Sequence, residues 1–247
     1  MERWSESFLE SETDRSVSAD ESASENDFMD IDYTEQDPEE SSNGRISLFL
    51  IRHGHAQHNL GFENIGERAY YAKKYGFSPL TDKGIEQARK LHRRMRIYHV
   101  SFDEILSSPL DRAIQTAQIL FPNNGARNRQ NVQIIEDIRE NNYAHTPNRR
   151  RTVSELANLY PGFDYSQIMH DDDILYRYGD TFNRHASLLA RLKNIRSNYH
   201  DTVTPKVVLV SHESFLVEFA TSYLGTDMKA IGNCEAIQID IDLNKIE

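Results

Sequence analysis

The chain has 247 residues, 38% of them hydrophobic, with one cysteine and a formal net charge of −11. That length holds one good-sized domain or two small ones, and no stretch approaches the roughly 18 consecutive apolar residues of a membrane-spanning helix. The lone Cys234 excludes an intramolecular disulfide and fits a reducing compartment, so a cytoplasmic or nuclear location is expected.

The charge is unevenly spread. Residues 1–43 carry 15 Asp and Glu against Arg3 and Arg15, a local net of −13, which leaves the rest of the chain at +2. This Ser-rich, aperiodic stretch reads as a disordered acidic tail, and it lacks the basic-then-apolar order of a signal peptide. Its partner is left unassigned. The body, residues 44–247, should fold from near Arg45, and limited proteolysis should clip the tail and leave that body intact. A mildly basic body suits an anionic substrate. No basic platform with interleaved aromatics points to nucleic acid.

In chain order, Ile46–Ile51 is a short apolar run without strict alternation, the pattern of a strand buried on both faces. It ends in Arg52-His53-Gly54-His55, where Gly54 permits a tight turn beside a ligand. A loop follows, with a short helix possible around Tyr70–Tyr75. Ser78-Pro79-Leu80-Thr81 is a helix start signal, Thr81 serving as the cap. The helix from about Lys83 to Tyr98 places Ile85, Ala88, Leu91 and Met95 on one face. Asp103–Leu106 is a strand candidate, and a helix opens at Ser108 or Pro109 and reaches about Leu120. A loop at Pro122–Gly125 precedes a strand at Val132–Ile135. Residues 139–180 are the least regular part and read as an inserted lobe with a helix near Thr152–Leu159. A long helix at Thr181–Asn198, a buried strand at Val207–Val210, a helix at Phe215–Leu224 and a strand at Ile237–Ile241 complete the chain. Cys234 falls in a probable strand, as a small buried hydrophobe. The alternation predicts a three-layer α/β/α fold with a mostly parallel central sheet.

Two strand ends match in kind, Leu50-Ile51-Arg52-His53 and Leu209-Val210-Ser211-His212. Parallel strands put such ends on one edge of a sheet. Arg112, near the start of a helix after a third strand, reaches the same edge, where the helix dipole favours an anion. Two arginines, two histidines and the Asn59 amide suit a phosphoryl group, because guanidinium forks match its oxygens. A metal reading of His53, His55 and His58 competes, but Gln57 stands where a second metal would need an aspartate, and Arg52 repels a cation. The acidic loop His170–Asp173 could attract a divalent ion but reads first as solvated. Arg149, Arg150 and Arg151 offer either a clamp for a second anionic group or a surface charge run.

The ordered set Arg52-His53-Gly54 with Asn59, Ser108-Pro109-Leu110-Asp111-Arg112-Ala113 through Thr116-Ala117, and Val208 through Ser211-His212 resembles the histidine phosphatase superfamily, which includes the cofactor-dependent phosphoglycerate mutases. The segments around Arg139-Glu140, Asn148–Arg151 and Tyr160–Ser166 are similar to its phosphoglycerate-mutase-like branch in plants and fungi. The resemblance implies a phosphoglycerate-mutase-like fold and a phosphomonoesterase acting on a small phosphorylated substrate without metal or cofactor. It makes His53 the nucleophile and Arg52, Arg112, His212 and Asn59 the phosphoryl cradle. Glu140 becomes the acid for the leaving group, with Glu136 as the fallback. The Gly-Trp stretch of true mutases is replaced by Gly76-Phe77, which favours a phosphatase. Glu213 departs from the usual glycine after the second histidine and puts a negative group near the cradle, unless it points away along its helix. A catalytically weak phospho-ligand-binding protein is the alternative reading of the same motifs.

Overall fold

The computed structural model describes residues 44–246 except 98, 123–130, 142–143 and 179–182. The expected tail, most of the loop at Pro122–Gly125 and the expected helix start at Thr181 lie outside the described residues. Strand β1 (Arg45–Arg52) is buried at every position but its first and last, as its unbroken apolar run requires. Helix α1 (Gln57–Ile65) occupies the first half of the expected loop. Two 3-10 turns, Gly66–Tyr71 and Lys73–Tyr75, follow where a short helix was expected. Helix α2 (Asp82–Ile97) starts after Thr81, whose Oγ1 accepts from the Gly84 amide at 3.2 Å. Strand β2 (Glu104–Ser107) leads into α3 (Asp111–Leu120), and β3 (Val132–Ile134) follows.

The lobe contains a 3-10 turn at Thr146–Asn148, α4 (Val153–Leu159) and α5 (Ile174–Tyr178). Thr152 and Glu155 close α4 with reciprocal side-chain caps, the pairing that holds an isolated helix start. Then come α6 (Arg184–Ser197), β4 (Lys206–Ser211), α7 (Glu213–Ser222) and β5 (Ala236–Asp242).

The five strands lie in the order β3-β2-β4-β1-β5. Pairings β1–β4, β2–β4 and β2–β3 are parallel, and β5 is the antiparallel edge. On one face Leu48, Leu50, Val207 and Leu209 pack against Leu188, Leu192, Phe215 and Phe219 of α6 and α7. On the other, Phe49, Ile51, Val208 and Val210 meet Ala113, Ile114 and Ala117 of α3, Leu156 of α4, and Leu91 and Met95 of α2. The expected three layers are therefore present, and each fully buried aliphatic side chain contributes about 1.5–3 kcal/mol.

Cys234 departs from expectation. It sits in a turn before β5 at φ 55°, because its amide bonds the Arg52 carbonyl at 3.0 Å and bends the chain back toward β1. Burial pushes its thiol up to about 12. Among the described residues no helix is long and apolar enough to cross a membrane.

Candidate active site

Register alone gathers the site. Arg52 pairs with Ser211, and Ser107 pairs with both Val210 and Ile134. The chain past each of four adjacent parallel strands therefore emerges on one edge, and across the sheet these segments carry Glu140, Arg112, His212 and His53. The His53 amide donates to the Ser211 carbonyl at 2.9 Å, and Ser108 donates to Val210 at 3.0 Å.

His53 is buried, and its Nδ1 lies 2.7 Å from the Gly54 carbonyl. A carbonyl only accepts, so Nδ1 carries the proton and Nε2 presents a lone pair. Arg112 Nε donates toward that Nε2 at 3.2 Å. Burial, then the charge of Arg112, hold the His53 pKa well below 6.5. The imidazole is thus neutral and nucleophilic at physiological pH. The His212 ring lies 5.1 Å from it, fixed by a 2.7 Å bond between Nε2 and Ser108 Oγ. Burial and Arg112 lower the pKa of His212 as well.

Gly54 is required by close packing, and not by the tight turn expected of it. A Cβ there would lie 2.7 Å from the Gly84 carbonyl, and one on Gly84 would run into the His55 carbonyl. The start of α2 is thereby pressed against the strand end. Gly54 donates its amide to Thr116 Oγ1 at 3.0 Å, and Thr116 donates to the Arg112 carbonyl at 2.7 Å, which couples the two motifs.

Arg112 is fully buried, with Nη1 on the Pro147 carbonyl at 2.7 Å and Nη2 on Asn148 Oδ1 at 2.9 Å. Burial lowers its pKa to about 10, so it stays charged. Arg52 donates Nη1 to the Ile231 carbonyl at 2.8 Å and to Glu213 Oε2 at 2.7 Å. Glu213 therefore does not point away: the first turn of α7 starts beside the β1 terminus, and the carboxylate finds the guanidinium. Two buried polar atoms of the cradle, Arg52 Nε and His212 Nδ1, bond no described residue. Buried groups are rarely left so, and phosphoryl oxygens would satisfy both.

Asn59 accepts from the Ala56 amide at 2.9 Å and so caps α1. Its Oδ1 is spent on that cap, which leaves its amide nitrogen for a ligand. Glu140 accepts from the Asn141 amide at 2.8 Å and from the Phe215 amide of α7. Burial raises its pKa above 4.5, outweighing the nearby charges of Arg112 and Arg52. Glu136, in contrast, is held by Arg139 at 3.1 Å and Arg150 at 2.7 Å. That double ion pair takes it out of contention as the acid.

Several neighbours were not read as part of the cradle, His58 having been read only as a possible metal ligand. His58 lies 5.6 Å from His53, ring centre to ring centre. Ser78 Oγ fixes it, sitting 2.7 Å from Nδ1 and 2.8 Å from its amide nitrogen. Ser78 and Phe77 hold positive φ values of 33° and 59° to place that hydroxyl, the local strain that functional loops accept. Asn148 and Pro147 grip Arg112, but a backbone carbonyl carries no sequence signal. The Thr116 hydroxyl, one turn past Arg112 on an apolar helix face, was the available hint.

Other candidates lie elsewhere. His55 turns to Thr81 Oγ1 at 2.8 Å and Glu63 at 3.1 Å. Arg150 is buried against Glu136 and four backbone carbonyls, and Arg151 pairs with Asp111 at 2.8 Å. Both guanidiniums thus have carboxylate partners within the fold, and Arg149 lies exposed over the Phe77 ring at 5.4 Å. In the acidic loop, Asp171 caps Ser154 and Asp173 binds Arg139, so two of its three carboxylates are structural. Among the described residues no group of three or more His, Cys, Asp or Glu could hold a metal ion.

The family model described as the histidine phosphatase superfamily (branch 1) matches residues 48–246. The chain belongs to the histidine phosphatase superfamily. It is 25% identical to phosphoglycerate mutase-like protein 1 of Arabidopsis thaliana over 196 residues, 69% of each chain. It is 38% identical to the adenosylcobalamin/alpha-ribazole phosphatase of Escherichia coli over 95 residues, 38% of this chain and 40% of that one. A phosphoglycerate mutase from Bacillus anthracis shares the fold of this superfamily member at a TM-score of 0.54 and 16% identity, covering 83% of this chain and 92% of that one.

Proposed function

We propose that the chain is a phosphomonoesterase that passes a phosphoryl group from a small phosphate ester to His53 and then to water. The observation that carries this reading is the state of His53: neutral by burial, its tautomer fixed by Gly54, its Nε2 facing an arginine between two further imidazoles. Nε2 attacks phosphorus as the ester P–O bond breaks, and protonated Glu140 gives its proton to the leaving oxygen. Arg52, Arg112, His212 and the Asn59 amide hold the equatorial oxygens. Water then attacks the phosphohistidine and yields its proton to the Glu140 carboxylate, and the P–N bond breaks to return the Nε2 lone pair. Arginines and imidazoles supply the positive charge, so turnover should survive excess chelator.

The test is acid-quenched labelling with a phosphorylated substrate. An acid-labile, base-stable label on the intact protein that is lost in His53→Ala supports the reading. Phosphate ester binding without label or turnover would favour the phospho-ligand-binding alternative.

A further inference from the structure

Of the eight large apolar side chains that stand exposed among the described residues, Leu60, Phe62, Ile65 and Tyr71 fall within one stretch of twelve. That stretch adjoins the cradle. Helical spacing puts Phe62 and Ile65 on the same face of α1 as His58, and His58 is the ring beside His53. Tyr70 folds back so that its ring centre lies 5.6 Å from Phe62 and 6.5 Å from His58. His145 of the lobe stacks on Tyr70 at 4.6 Å and 7°, and Tyr71 meets that imidazole edge-on at 5.4 Å. Burial, then the charge of Glu140, raise the Tyr70 pKa. An aromatic, partly exposed strip thus runs outward from the nucleophile, while Arg150 and Arg151 are committed to partners of their own. Contiguous exposed apolar surface beside a polar reaction centre is the form of a ligand site.

We infer that this strip is the leaving-group subsite, and that the substrate is a monophosphate ester of a flat, uncharged, aromatic alcohol. The inference rests on the phosphatase reading above. The ring of the alcohol packs along Phe62, Tyr70 and Tyr71 while its phosphate enters the cradle.

The test compares kcat/KM of the full chain for phenyl phosphate, 2-naphthyl phosphate and 3-phosphoglycerate. The two aryl leaving groups have nearly equal acidity, so chemistry alone gives similar rates and any difference reports ring burial. The subsite predicts a preference for the naphthyl ester of about tenfold, the discrimination a few tens of Å² of added apolar burial supplies, and slower turnover of 3-phosphoglycerate. Phe62→Ala and Tyr71→Ser, at exposed positions that the fold tolerates, should each bring the naphthyl-to-phenyl ratio toward one. Met169→Ala, 90% exposed elsewhere on the lobe, should retain it. Equal rates for both aryl esters, a ratio indifferent to both variants, or a preference for 3-phosphoglycerate would overturn the subsite alone. No turnover of any ester and no label on His53 would overturn the phosphatase reading, and the subsite with it.

Discussion

Glu213 takes one edge of Arg52 at 2.7 Å, and its negative charge competes with any phosphoryl group for that guanidinium. Glu213→Gln keeps a hydrogen-bonding oxygen and removes the charge. Inhibition by inorganic phosphate or orthovanadate should then tighten, by roughly three- to tenfold at low salt and less at high salt, since the carboxylate is partly exposed. Weaker inhibition would show instead that the carboxylate serves to aim Arg52. Glu140 is tested through the leaving group. Glu140→Gln should slow hydrolysis of an alkyl phosphate by about 10²–10⁴-fold. The nitrophenol burst from p-nitrophenyl phosphate should lose far less, because nitrophenolate leaves almost unaided. Equal losses would make Glu140 a positioning group. In the proposed mechanism the pH profile follows His53 and Glu140. His53 must be neutral and its pKa is lowered, so activity falls on the acid side as it protonates. Glu140 must be protonated and its pKa is raised, so activity falls on the alkaline side as it ionises. The profile should be a bell, and Glu140→Gln should erase its alkaline limb.

At the scale of elements, the lobe holds Arg112 and Arg112 touches His53. Asn148 Oδ1 accepts from Arg112, while the Asn148 carbonyl accepts from Arg139 at 2.7 Å and Arg139 binds Asp173 at 2.6 Å. Asn148→Ala removes a charge-assisted acceptor from a buried guanidinium. It should cost about 1–3 kcal/mol in urea unfolding and lower kcat for p-nitrophenyl phosphate; unchanged kcat would mean that the lobe does not set the Arg112 pose. This chain of contacts was hidden in the sequence, whereas the strand ends were plain. Ile46–Ile51 and Val207–Val210 are unbroken apolar runs that can only be buried, and the polar groups after them must surface at one edge. Helix α1 gave no such signal: Ala56 stands at its N-cap, Asn59 caps from inside, and Gly61 interrupts it. Arg150 read as either clamp or surface charge because most of its partners lie on separate segments. The Arg52–Glu213 pair joins residues far apart in the chain, so it became visible only once β1 lay beside β4.

For the whole molecule, three of the four imidazoles buried among the described residues set a sensitivity to acid. His53, His58 and His212 all have folded pKa values below the unfolded 6.5. The unfolded chain therefore binds more protons below pH 6.5, and stability falls as pH drops through that window. Urea midpoints measured from pH 7.5 down to 5 should decline, and His58→Asn should flatten the decline even where it lowers stability overall. A flat profile in the parent protein would show that these rings charge freely in the fold.

The amide of His53 is itself a rung between the two central strands, bonded to Ser211. The His53 ring is thus mounted on the two central strands, which their burial should make the last part to open, while Arg112 takes two of its anchors from a three-residue turn. Wear should reach the site from that side. Under slow warming or mild urea, turnover should fade while the sheet still gives its full spectroscopic signal, with the His53 amide among the last to exchange its hydrogen. Return to gentle conditions should restore activity without passage through the unfolded chain.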